Sequence, residues 1–174
     1  MQGLSDRSGT ESYKVHIDDG ERVVSLGSLE EPVANLEEFD VRDVPLTTLD
    51  DALRDRDIGF MKIDVEGHER KMLAGAEALL RRARPSLLIE IAASNGQENF
   101  DAVCAFLRDL GYVMFFLHDG RTKSSNELTP ELRRETTWTA DGRRIPSLVF
   151  NFFFVHGEEA VDRVRAAIDA RLAV

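Results

Sequence analysis

Four ionisable residues fall within six positions of the run MKIDVEGHE: Asp64, Glu66, His68 and Glu69. No other stretch of the sequence is so well equipped for chemistry. An apolar run ends in an acid, and a second acid, a glycine, a histidine and a third acid follow. An acid placed directly after Met61, Lys62 and Ile63 on an interior strand costs desolvation unless it has a partner or faces a cleft. Glu90 sits near the end of the next apolar run, SLLIEI. If the two runs are neighbouring parallel strands, Asp64, Glu66 and Glu90 converge at the edge where open α/β sheets bind ligands. Such carboxylates suit a substrate, or a hard cation such as Mg2+ with an open coordination position. His68 carries an imidazole, the side chain whose unperturbed titration lies nearest neutral pH, so it is a candidate proton acceptor.

Plainer readings compete. Acids in the first turn of a helix stabilise its dipole by about 0.3–1 kcal/mol each, which is reason enough for Glu66 and Glu69. Lys62 or Arg84 could simply neutralise Glu90. A histidine beside a helix start is commonly a surface residue, and the single tryptophan, Trp138, either covers a substrate or packs down the polar segment that carries it.

The elements that must position these residues follow from periodicity. IGFMKIDV has the length of a strand. From His68 to Arg84 the apolar residues Met72, Leu73, Ala76, Leu79 and Leu80 make one helical stripe, which Pro85 stops. SLLIEIA is the next strand, so the unit reads strand, helix, strand with a right-handed crossover. Both strands are nearly all apolar, which predicts a parallel sheet covered on both faces. Phe100, Val103, Cys104, Leu107 and Leu110 form a second helical stripe, closed by Gly111. YVMFFL and SLVFNFFFV are further strands, and residues 158–172 a final amphipathic helix. Upstream, ESYKVHI alternates like a strand, and DVRDVPLTTLDDAL turns from strand to helix, with Thr48 or Asp50 as its cap. Residues 121–146 are a long polar segment in which TPELRRE reads as a short helix with Pro130 at its first position. The expected architecture is α/β in a single domain over residues 1–174.

Composition narrows the function. A formal net charge of −10 argues against a nucleic-acid or anionic-membrane surface. One cysteine excludes an internal disulfide framework and a cysteine-rich zinc site. With no signal-like start and no bilayer-length apolar run, a cytoplasmic protein is expected.

VPLTTLDDAL followed by IGFMKIDVEGHERKMLAGAEALLRRARPSLLIEI closely resembles the C-terminal half of the FkbM-type family of S-adenosylmethionine-dependent methyltransferases. The terminal NFFFV and the early GLSDRSGT fit as well, so the likeness runs from about residue 3 to 155. The resemblance implies a partial class I, Rossmann-like methyltransferase fold: a mostly parallel sheet with an antiparallel last strand and helices on both faces. It implies S-adenosylmethionine as methyl donor and a hydroxyl of a sugar or secondary metabolite as acceptor. By position it makes Asp64 and His68 catalytic, Asp64, Glu66 and Glu90 substrate or metal ligands, and Ser5 and Asp6 the contacts to the donor. One departure stands out. No two of the 12 glycines are separated by a single residue, so the family's glycine-rich donor turn is missing. The domain is expected to be truncated at its N-terminal side and to bind the donor weakly or not at all. The strand FMKIDV would then have an open apolar edge suited to homodimerisation. Two rivals remain: a non-catalytic interaction module built on the same fold, and a metal-dependent phosphate-ester enzyme using Asp64, Glu66 and Glu90.

Overall fold

Residues 2–18, 21–29, 39–134, 137–138, 144–145 and 149–172 are described by the structure, a computed structural model; for 16, 18, 21–28, 137–138 and 144–145 only the backbone is. The side chain of Trp138 therefore lies outside the described residues. The chain begins with β1 (Gly3–Leu4), β2 (Gly9–Asp18), β3 (Glu21–Ser28) and β4 (Phe39–Thr47), then α1 (Leu49–Ala52). The strands form a sheet in the order β1-β4-β2-β3, in which only β1 and β4 pair in parallel. Thr48 caps α1, its Oγ1 accepting from the Asp51 amide at 3.1 Å.

The middle of the chain supplies β5 (Phe60–Ile63), α2 (Glu69–Ala74), α3 (Glu77–Ala83), β6 (Ser86–Glu90), α4 (Gln97–Asp109), β7 (Tyr112–His118) and β8 (Arg121–Ser124). Next come α5 (Pro130–Arg133), the short pair β9 (Thr137–Trp138) and β10 (Arg144–Ile145), β11 (Asn151–His156) and α6 (Glu158–Leu172). The second large sheet has the order β5-β6-β11-β7-β8.

Three expectations need correction. The second sheet is not mostly parallel, since β5–β6 is its one parallel pairing. The reason is topological: β6 and β7 point the same way, but β11 runs antiparallel between them, and β8 folds back on β7 as a hairpin. Nor is β5–β6 covered on both faces. Ile63, Leu87 and Ile89 turn into the main core with Met72, Leu79, Leu80, Phe100 and Phe152. The opposite face of β5 carries Lys62 and Phe60, the latter 55% exposed. The helix on that side, α6, packs over Phe115, Phe153 and Val155, in a cluster that takes no residue from β5 or β6.

The third correction concerns the stripe from Met72 to Leu80, which lies on two helices instead of one. A continuous helix would bond the amides of Ala78 and Leu79 to carbonyls four residues back. Here both donate to the Asp50 carboxylate, at 3.0 and 2.7 Å. The Gly75 carbonyl accepts instead from the Asp50 amide, at 2.9 Å. Asp50 thus caps the start of α3 rather than α1. At the break the Ser5 backbone lies so close to Gly75 that a Cβ there would collide with the Ser5 carbonyl oxygen.

Candidate functional site

The DVEGHE turn connects β5 to α2, and it sorts its ionisable residues into two sets. The outward set gathers at the carboxyl ends of β5 and β6, which pair in register from Phe60↔Ser86 to Ile63↔Ile89. Lys62 Nζ donates to Asp64 Oδ2 at 2.9 Å and reaches Glu90 Oε2 at 3.5 Å. Asp64 keeps 45% of its side chain exposed and Glu90 31%. The fields of both carboxylates bear on Glu66. Asp64, Glu66 and Glu90 therefore do share one charged edge.

Their arrangement does not fit a divalent metal. Lys62 stands between Asp64 and Glu90, where a cation would have to sit, and it compensates both. Among the described residues no group of three or more His, Cys, Asp and Glu side chains could hold a metal ion. The expectation of Mg2+ at these acids therefore finds no support in their geometry.

Glu66 is disfavoured here on two counts. Its φ of +48° puts it in the left-handed region, which is unfavourable for a residue with a Cβ. Partial burial, and then the fields of Asp64, Glu90 and Glu69, hold its pKa above the usual 4.5. A folded-state pKa above the unfolded value means that stability is fully present below about 4.5 and is lost as pH rises through the raised value. We expect Glu66→Gln to raise stability at neutral pH by about a few tenths of a kcal/mol. The gain should vanish in acid, where the wild-type side chain is neutral too. Urea midpoints at the two pH values check this; a destabilised variant at neutral pH would show that the Glu66 charge helps the fold.

The inward set is His68 and Glu69, 2% and 0% exposed. His68 Nε2 lies 3.0 Å from Oγ of the fully buried Ser5. That hydroxyl donates to Asp6 Oδ1 at 3.1 Å, so it accepts from Nε2–H of the histidine. Glu69 Oε1 accepts from the Gly67 amide at 3.0 Å, and Oε2 accepts from Asn99 Nδ2 on α4 at 2.8 Å. Gly67 has a φ of +93°, which with Glu66 makes two consecutive left-handed residues and aims its amide back at Glu69. A carboxylate this buried is tolerated because both oxygens are hydrogen-bonded. His68 and Glu69 pin the turn to the first segment of the chain and to α4.

The structure thus brings His68, Ser5 and Asp6 together in one hydrogen-bonded row, and Asp64, Glu66 and Glu90 in another group around Lys62. The role of Lys62 as the link was weighed in the sequence only as neutralisation of Glu90. Asn99 was missed: an asparagine in a helical stripe gives no sign that its partner lies 30 residues back.

The one parallel strand pair of the second sheet, β5 and β6, thus ends in a charged turn whose two sets of residues face opposite ways. The family model described as the methyltransferase FkbM domain matches residues 3–114, from β1 into β7, and the chain belongs to that family. No curated protein and no solved structure matches it. No helix among the described residues is long and apolar enough to cross a membrane.

Proposed function

We propose that the protein is an S-adenosylmethionine-dependent methyltransferase acting on a hydroxyl oxygen of a sugar or other secondary metabolite. The observation that carries this reading is the exposed Asp64–Lys62–Glu90 group at the carboxyl ends of β5 and β6, inside the family match. S-adenosylmethionine would supply a methyl group activated by its sulfonium charge. Asp64 accepts the proton that the acceptor oxygen releases as it takes the methyl group. Lys62 and Glu90 hold the Asp64 carboxylate and offer hydrogen bonds to neighbouring hydroxyls. Asp6 is an exposed acceptor at the surface, suited to a ribose or adenine group of the donor, and Ser5 aims it. Enclosed as it is, His68 is assigned the positioning of Ser5 and Asp6.

The test is release of S-adenosylhomocysteine by the full chain at about 1 mM donor, the top of the usual KM range. A panel of sugar and phenolic alcohols serves as acceptors. Because the glycine-rich donor turn is missing, donor binding is expected to be weak, and slow turnover with at least one acceptor is expected only at this high donor concentration. A second reading, a non-catalytic module that pairs with its own copy, is favoured by one observation. β5 is the edge strand of its sheet and leaves Phe60 exposed. No product from any acceptor, together with a concentration-dependent dimer, would replace the first reading with the second.

A further inference from the structure

A pocket of about 380 Å³ lies away from the DVEGHE turn, between α4, β7 and the segment that ends in α5. That volume is at the small end of the roughly 300–1,000 Å³ range of ligand pockets. Phe100, Cys104, Met114 and Leu128 give it apolar walls, and Gln97 and Arg133 its polar end.

Arg133 is unusual. It is 7% exposed, and its Cζ sits 3.7 Å from the centre of the Phe100 ring. Nη1 makes a long bond of 3.4 Å to Gln97 Oε1, and Nε has no hydrogen-bond partner among the described residues. No described carboxylate forms an ion pair with it. A buried guanidinium is ordinarily matched by a carboxylate or phosphate, since an uncompensated charge is expensive to enclose. Desolvation accordingly acts to lower its pKa. Stacking on Phe100 fixes the plane of the fork, and Arg133 lies among the residues that line the pocket.

We propose that this pocket binds a small organic carboxylate, its head on Arg133 and Gln97 and its apolar body against Phe100, Met114 and Leu128. One cation suits a singly charged head, whereas a phosphate dianion would need further donors. The site does not depend on the methyl-transfer reading, because none of its residues belongs to the turn.

Titrating the full chain, labelled at its methionine methyl groups, with benzoate, benzamide and inorganic phosphate tests this by nuclear magnetic resonance. Benzoate should shift the Met114 methyl signal saturably, with benzamide about tenfold weaker or more, as loss of a charged hydrogen bond predicts. Arg133→Gln should bring benzoate down to the benzamide level. Should that variant fail to fold, Leu128→Phe, which keeps the arginine and fills the apolar end, should abolish the shift. Equal binding of benzoate and benzamide, tighter binding of phosphate, or benzoate binding that survives either variant would overturn the proposal.

Discussion

Gly75→Ala is expected to destabilise the protein by about 3 kcal/mol, the upper part of the usual range for overpacking. The direction is the opposite of what local conformation suggests. Gly75 ends α2 with φ −75°, which alanine adopts without strain, and such a substitution ordinarily stabilises by about 0.4–1 kcal/mol. Here the added methyl would run into the carbonyl oxygen of Ser5, with the carbonyl carbon at 3.0 Å and Asp6 Cα at 3.3 Å. These are backbone atoms, so no rotamer relieves the contact. Ser5 is also held by its own amide to the Thr47 carbonyl at 3.0 Å and by its side chain to His68. To make room, the first segment must leave β4 or uncover the histidine. Gly59 has nothing within 4 Å of such a methyl, so Gly59→Ala should stay within about 0.5 kcal/mol of wild type. Denaturant midpoints of the two variants decide the matter. Similar stabilities would mean that Ser5 does not lie against Gly75.

The second large effect is expected on activity with almost none on stability. Asp64→Asn should lower kcat/KM for methyl transfer by about a hundredfold, the low end for loss of a positioned base. The amide keeps the shape of the side chain and a hydrogen bond to Lys62, but it no longer accepts the acceptor's proton. Folding should barely respond, because the Lys62–Asp64 pair is exposed and such pairs contribute about 0–1 kcal/mol. S-adenosylhomocysteine release measured beside the urea midpoint separates the two. Activity within a few-fold of wild type would remove Asp64 from the chemistry. Loss of activity together with loss of fold would make it structural.

The sequence made some of this legible. Strands β5, β6 and β7 and helices α4 and α6 came through because their apolar spacing is local. Gly111, with φ +85°, ends α4 as expected, and Pro130 opens α5. The broken helix was hidden because its cause is distant: Asp50, some 28 residues upstream, takes the amides that would have continued α2 into α3. Exposure on the outer face of β5 was hidden too, because a run such as FMKI does not say how far the next layer extends. The site was legible as a cluster of residue types but not as a division into two sets. Nothing in their residue types sets His68 and Glu69 apart from their neighbours, and their partners Ser5 and Asn99, which hold them inward, are remote in sequence. Arg133 drew no notice in the sequence, since nothing in TPELRRE announces the ring of Phe100 beneath it.

That division of the DVEGHE turn bears on how the protein can diversify. His68 and Glu69 are each answerable to a partner tens of residues away, so a change at either demands a matching change elsewhere. Asp64 and Glu66 stand on the outward side of the turn, where Asp64 pairs with the exposed Lys62. Descendants of this chain could therefore vary the outward residue Glu66, and with it the acceptor, while inheriting the Asp64 carboxylate and the anchorage of the turn unaltered.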